Sequence, residues 1–248
     1  MRLEVLSTGS KANCYALMAG EEILLLDAGL RASEIMRGIE FQNVCGALVT
    51  HEHQDHIRGA AELMRYGVTA FMSEGTAERA GLMEAAPPGR LHLVSARQPF
   101  DVGGFQVMPF QTEHDAAQPL GFLIRCRFTG EALLYATDTY YLRNTFPGVH
   151  YWIVECNHCR AIMDAQYEKG LMDSAMRRRL ITAHMSLERL LEALKANDLS
   201  KTRKIVLIHL SDERADEAEM VERVGAFTGI PAVAARDGME IDLELTPF

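Results

Sequence analysis

No stretch of the sequence stays apolar for the roughly 20 residues that a membrane-crossing helix needs, so a spanning segment is not expected. Cysteine is scarce and unpatterned. Cys14, Cys45, Cys126, Cys156 and Cys159 show no disulfide-framework spacing. The start, from Met1 to Leu6, reads as a first strand and not as a targeting segment, so the thiols are expected reduced, in a cytoplasm. Positive charge is also in deficit: 25 Lys and Arg stand against 34 Asp and Glu, a net charge of −9. That balance argues against a surface that coats nucleic acid at large, but a local positive site such as a metal pair is compatible with it. Repeats, low-complexity tracts and linker-like stretches are missing, so residues 1–248 are expected as a single domain. What remains, 48% hydrophobic and 24% charged residues, is ordinary for a globular chain able to bury a sizeable core.

The densest chemistry lies in Leu48-Val49-Thr50-His51-Glu52-His53-Gln54-Asp55-His56. Val44 to Thr50 is a short bounded apolar run of the kind that makes a buried strand. Downstream, Ile57, Ala60, Ala61 and Met64 recur at helical spacing. Three histidines and an aspartate therefore sit in a strand-to-helix turn. Imidazole and carboxylate are ligands for divalent zinc or manganese. In an extended turn His51 and His53 point the same way, because side chains alternate with period two. Asp55 and His56 adjoin at the helix start and can face a second ion. A helix-capping role would suit one histidine, not three within six residues.

Along the chain, Leu3 to Leu6 reads as a half-buried strand. Cys14 to Met18 and Ile23 to Leu26 read as a hairpin, and Ala32 to Ile39 as a helix capped by Ser33 or its neighbour. Single helices are expected over Asp55 to Tyr66, Ser73 to Met83, Gln166 to Leu180, Ser186 to Lys195 (with Ser186 as N-cap) and Arg214 to Phe227. Strands are expected at Val68 to Met72, Leu91 to Val94, Phe105 to Phe110, Gly121 to Phe128, Ala132 to Ala136, Tyr151 to Val154 and Ile205 to Leu210, with Thr129-Gly130 as a turn. This order suggests two sheets packed face to face with helices outside. Several strands end on a polar residue: Asp27, His114 and Asp138. His209 lies inside the last apolar run. Strand ends at one rim can bring distant residues to one site.

On these residues the chain resembles the metallo-β-lactamase superfamily over nearly its whole length. The match runs in order through Asp27, His51-Glu52-His53-Gln54-Asp55-His56, His114, Asp138 and His209. The resemblance implies an α+β fold, the αββα sandwich, with the site at one edge of the sheets. It implies that His51, His53 and His114 hold one metal ion, that Asp55, His56 and His209 hold the other, and that Asp138 bridges them. Asp27 would orient a ligand from behind. His53 stands where a flavodiiron protein would have a carboxylate, and Asp138 where many secreted β-lactamases have cysteine. A finer resemblance is to the WalJ/YycJ-like branch, relatives of ribonucleases J and Z. It rests on Thr8-Gly9-Ser10 with Asn13-Cys14, Asp27-Ala28-Gly29, His114-Asp115-Ala116, Ala183-His184-Met185-Ser186 and Ile208-His209-Leu210-Ser211. Ala183 and Met185 depart from the branch's Gly-His-Leu-Ser, and Lys11-Ala12 stand where small residues are common.

The expected cofactors are thus two divalent ions, Zn2+ or Mn2+ with iron also compatible, lowering the pKa of a bridging water toward neutrality. Two divalent ions, less Asp55, Asp138 and a bridging hydroxide, leave about one positive charge to attract an anion. A phosphodiester fits. His184, just before the helix that starts after Ser186, suits binding a phosphate oxygen or protonating the leaving oxygen. Asp55 and His184 are therefore the candidate catalytic residues. The reading is a dinuclear metal-dependent phosphodiesterase or nuclease of the exonuclease kind. Its expected partner is single-stranded nucleic acid or a short oligonucleotide, with no membrane, and a homodimer is compatible. A thioester or lactone hydrolase of the glyoxalase II type, and a metal-binding regulatory module with little turnover, are the alternatives. Arg177-Arg178-Arg179 reads as a phosphate track or, for at least two of the three, as a solvated helix end. Cys156-Asn157-His158-Cys159 reads as a loop, too tight to close a zinc tetrahedron alone. Met163, Met172 and Met176 read as filler.

Overall fold

The computed structural model describes residues 1–243. The chain divides into two compact units. One comprises Met1–Gln111, Ala116–Glu131 and the stretch from Arg236 on; the other comprises Thr112–Asp115 and Ala132–Ala235.

The first unit holds β1 (Arg2–Ser7), β2 (Cys14–Ala19), β3 (Glu22–Leu26), α1 (Ala32–Gly38), β4 (Val44–Leu48), α2 (Gln54–Ile57), α3 (Ala60–Arg65), β5 (Ala70–Met72), α4 (Glu74–Arg79), α5 (Leu82–Ala85), β6 (Leu91–Leu93), β7 (Phe100–Val102), β8 (Phe105–Gln111) and β9 (Leu120–Cys126). The second holds β10 (Ala132–Ala136), β11 (Tyr151–Glu155), α6 (Arg160–Glu168), α7 (Ser174–Ala183), α8 (Leu187–Lys195), β12 (Lys204–Ile208), α9 (Glu217–Thr228) and β13 (Ala232–Ala234). The chain then returns to the first unit as β14 (Glu240–Asp242). Among the described residues no helix is long and apolar enough to cross a membrane.

In the first unit a seven-stranded sheet runs β14-β1-β2-β3-β4-β5-β6. It is antiparallel as far as β3 and parallel from there. Leu25 pairs with Ala47 and Leu26 with Leu48, so β3 and β4 end level. Asp27 and the histidine turn therefore emerge side by side. Ile35 of α1 and Leu63 and Met64 of α3 pack with Leu25, Ala47 and Val49 in a core that covers one face of this sheet. On the other side, the antiparallel β7-β8-β9 ribbon lies close. Phe71 stacks on Phe100 at 4.9 Å, and a Cβ on Gly46 would lie 2.7 Å from Val102. Only a residue without a side chain fits between the layers there.

The second unit is built on the parallel strands β10 to β13. Every residue of β10 and β11 is buried, which suits near-continuous apolar runs covered on both faces. The register Ala136–Val154 and Glu155–Ile208 brings three strands to a common C-terminal edge. Open parallel sheets bind ligands at that edge.

Three expected helices are broken. Asp55 to Tyr66 splits into α2 and α3 at Gly59, whose amide donates to Ala28 O at 2.8 Å and not into the helix. A Cβ there would lie 2.2 Å from Leu30 O. Ser73 to Met83 splits at Gly81, where φ is +68°. Gln166 to Leu180 is the largest miss: α6 begins at Arg160 and stops before Gly170 (φ +71°). Asp173 then caps a new helix by accepting from Met176 N at 2.7 Å. The apolar spacing of Leu171, Met172 and Met176 carries across the break and hides it. In α1 the N-cap is Arg31, whose amide donates to Glu34 Oε2 at 3.0 Å, and not Ser33. His209 lies past the end of β12, not within it.

Candidate functional site

In the first unit, His53 is the N-cap of α2, and the turn before it leaves His51, His53, Asp55 and His56 around the helix start. His56 is fully buried. Its Nδ1 lies 2.8 Å from Asp27 Oδ2, and its Nε2 lies 3.3 Å from Asp55 Oδ2 and 3.1 Å from Asn13 Nδ2. Asp27 also accepts from Thr50 N at 2.8 Å and Thr50 Oγ1 at 2.9 Å. Thr50 Oγ1, having given its proton to Asp27, can accept from His51 Nδ1 at 3.0 Å. This network sets both tautomers: His56 and His51 carry the proton on Nδ1 and turn Nε2 outward. His51 Nε2 then lies 3.0 Å from His53 Nδ1. Two ring nitrogens aimed at one point, each oriented from behind, are a donor set that suits a divalent cation.

Main-chain contacts hold this arrangement. Asn13 N donates to Asp55 O at 2.7 Å, Gly29 N to Asn13 O at 2.9 Å and Ala28 N to His56 O at 2.8 Å. A Cβ on Gly29 would lie 1.8 Å from Asp55 O. The Asp27-Ala28-Gly29 loop and the histidine turn thus interlock backbone to backbone.

In the second unit, Asp138 lies with its Oδ2 3.3 Å from His114 Nε2 and its Oδ1 3.4 Å from His209 Nε2. One carboxylate with an imidazole on each oxygen is the arrangement a bridging ligand requires. His114 Nδ1 donates to Ala183 O at 2.8 Å, which turns Nε2 toward Asp138. Burial is the largest influence on His114 and lowers its pKa, against the charge of Asp138 that raises it. A depressed pKa favours the neutral, ligating form.

His184 is the C-cap of α7 and stacks on His209, ring centroids 5.4 Å apart. Glu155, the last residue of β11, holds it: Oε1 lies 2.6 Å from His184 Nδ1, while Oε2 accepts from Met185 N at 3.1 Å and Thr139 N at 3.0 Å. Burial alone would lower the His184 pKa; the adjacent charge and hydrogen bond of Glu155 outweigh it and push it up to about 9. Asp138, Glu155, His184 and His209 bring one ligand atom each within 4.8 Å of one another.

Four non-glycine residues of the described chain have positive φ, and three are Asp27 (59°), Asp138 (47°) and His209 (54°). Such backbone persists where surroundings enforce it, commonly at functional sites. Each follows a parallel strand and turns its side chain across the strand ends.

Glu155 is the residue that sequence reading missed. It closes an apolar run and reads as an ordinary strand end; only its position two residues before Asn157, whose Nδ2 lies 3.2 Å from His209 Nδ1, hints at more. In the Cys156-Asn157-His158-Cys159 loop, neither cysteine joins a group of three ligand atoms among the described residues. His158 is buried, and its Nδ1 has no hydrogen-bond partner among the described residues. Burial, the chief cause, lowers its pKa to about 4, helped by His184 and Arg160 and opposed by Glu155 and Glu188. An unfolded histidine takes its proton near 6.5, so between those values the unfolded chain binds more protons. Stability should therefore fall as pH drops from about 7 to about 4, by on the order of 3 kcal/mol from this group. Urea titrations at both ends should show that excess acid sensitivity reduced in His158→Gln; equal slopes would refute it.

Comparison with known proteins agrees with this geometry. A family model described as beta-lactamase superfamily domain matches residues 18–210. The chain is 26% identical to exodeoxyribonuclease WalJ of Streptococcus pneumoniae, covering 98% of this chain and 93% of that protein. It is 29% identical to exodeoxyribonuclease YycJ of Bacillus anthracis, over 85% and 83% of the two chains. Among solved structures, the metallo-β-lactamase fold protein YhfI of Bacillus subtilis superposes with a TM-score of 0.74 at 14% identity, covering 97% of this chain and 98% of that one.

Proposed function

The chain belongs to the metallo-β-lactamase superfamily and has its α+β, αββα fold, and from that premise we propose that it is a dinuclear metal-dependent phosphodiesterase acting on nucleic acid in the manner of an exodeoxyribonuclease. The family model spans residues of both units, which supports treating them as one catalytic domain, residues 1–248. In this reading His51, His53 and His114 hold one ion, Asp55, His56 and His209 the other, and Asp138 bridges. The outward Nε2 atoms of His51 and His56 and the two-sided contacts of Asp138 support that assignment.

When bound, such an ion pair supplies Lewis-acid polarisation of the phosphodiester and a water of lowered pKa. The chain's own residues do the rest. Asp27 fixes the His56 ring, and Thr50 fixes His51. Asp55 contributes a carboxylate beside His56. His184 carries the choice of substrate. A cationic imidazole, held by a buried carboxylate at 2.6 Å, can bind a non-bridging phosphate oxygen or give its proton to the leaving oxygen. The names of the two relatives, both exodeoxyribonucleases, support a nucleic acid substrate. The five unpaired cysteines support a cytoplasmic location.

Purified protein should cut a labelled single strand in the presence of manganese or zinc and leave a thioester untouched. Hydrolysis of the thioester with the strand intact would replace the reading. His184→Ala should keep its metal content and lose at least tenfold in turnover. Asp55→Ala should instead lose at least one ion by elemental analysis. Unchanged turnover in His184→Ala would remove that residue from the mechanism.

A further inference from the structure

Helices α6 and α7 of the second unit enclose a cleft of about 230 Å³, lined by Tyr167, Ser174, Arg177, Arg178, Ile181 and Thr182. The composition is unusual for an acidic protein. Helix α7 carries three arginines and no acidic residue. Two of the three are engaged: Arg177 pairs with Asp164 at 2.7 Å, and Arg179 lies 3.5 Å from Asp115. Arg178 has no ion-pair partner among the described residues. Arg177, held by Asp164, lies over the Tyr167 ring at 5.3 Å, which fixes that aromatic plane. Tyr167 nonetheless stays 42% exposed and Ile181 38%. An immobilised aromatic face, an uncommitted guanidinium and hydroxyls from Ser174 and Thr182 meet in one small depression.

We propose that this cleft is a strand-binding subsite that takes one nucleotide of a single-stranded nucleic acid, its base against Tyr167 and Ile181 and its phosphate on Arg178. The inference rests on the phosphodiesterase reading above and adds where the strand lies. Stacking on an aromatic ring beside a cation is how single strands are held without sequence preference. The alternative occupant, another protein surface, would have to place a carboxylate of its own on Arg178 to offset desolvation, whereas every nucleotide of a strand brings an anion with its base. His184, the C-cap of α7, lies six positions after Arg178, about 9 Å along a helix axis. A strand with its reacting phosphate at His184 would have to bend around α7 to bring a later phosphate to Arg178, since six positions also turn the helix by about 240°. One such track on a protein of net charge −9 also reconciles the acidic surface with a polyanionic substrate.

The test uses the metal-loaded enzyme, a fluorescein-labelled phosphorothioate oligothymidylate for binding, and bis(p-nitrophenyl) phosphate as a diester too small to reach the cleft. Tyr167→Ala should raise the Kd for the strand about tenfold. Arg178→Gln should weaken binding several-fold and lower the salt slope by about one. Both should hydrolyse the small diester at the wild-type rate. Wild-type Kd and salt slope in both variants overturn the subsite while leaving the nuclease reading intact. A wild-type enzyme that hydrolyses the small diester but neither binds nor cuts the strand overturns the nucleic-acid reading and the subsite with it. A changed sedimentation coefficient in the variants, with strand binding kept, assigns the face to contact between copies of the chain.

Discussion

Asp27→Asn should lower metal affinity at the His56 position by about 10- to 100-fold while the protein stays folded. The substitution is nearly isosteric. One amide oxygen can still accept from Thr50 N and Oγ1, now 2.8 and 2.9 Å from Asp27 Oδ1. The other atom becomes an NH2, and it faces His56 Nδ1 at 2.8 Å. A donor there forces His56 to accept on Nδ1 and carry its proton on Nε2, the nitrogen that must be bare to ligate. The wrong tautomer of a correctly placed histidine is costly in other buried carboxylate–imidazole pairs. Elemental analysis and isothermal titration with zinc should show one weakened position, and circular dichroism should be unchanged. Full loading with wild-type affinity would show that Asp27 does not set the tautomer.

Gly29→Ala should be among the most damaging single substitutions in the protein. The overlap of a Cβ with Asp55 O at 1.8 Å is with backbone, not with a side chain that can swing away. Relief requires the Asp27 loop to part from the histidine turn, which breaks the bonds from Gly29 N to Asn13 O and from Asn13 N to Asp55 O. A loss of about 4 kcal/mol or more is expected, or a fall in Tm of roughly 10 °C for a chain of this size. Metal loading should fall with it. Gly225→Ala is the contrast. Gly225 is inside α9, and its Cβ would meet only Ile230 O, at 3.8 Å. Removing an interior helix glycine there should stabilise by up to about 1 kcal/mol. Thermal melts of the two variants should move in opposite directions; equal melting temperatures would sink the argument.

What could be read in the residues alone follows from the range of the forces involved. The histidine turn was legible because its chemistry is local: His51, His53, Asp55 and His56 fall within six residues and their strand-to-helix setting shows in the pattern. Asp138 and His209 were legible as polar residues at or near the ends of apolar runs. Glu155 was not, because a strand-terminal glutamate looks solvent-exposed until the register of β10, β11 and β12 places it under His184. The tie from Gly59 N to Ala28 O, which splits the expected helix after the turn, was equally hidden, since it joins segments about 30 residues apart. The break at Gly170 was written in the residues, with Lys169-Gly170 as a stop and Asp173 as a cap, but the apolar spacing spoke louder. Asp27, Asp138 and His209 share a left-handed backbone that no periodicity reports.

Strand β1 pairs on its outer side with β14, through Arg2–Asp242, Leu3–Ile241 and Glu4–Glu240. Strand β1 is therefore closed by a strand that follows it by more than 230 residues. Until residue 242 emerges, the newborn chain carries a naked sheet margin that invites pairing with other nascent copies. A chain released before residue 242 would be sticky along that margin.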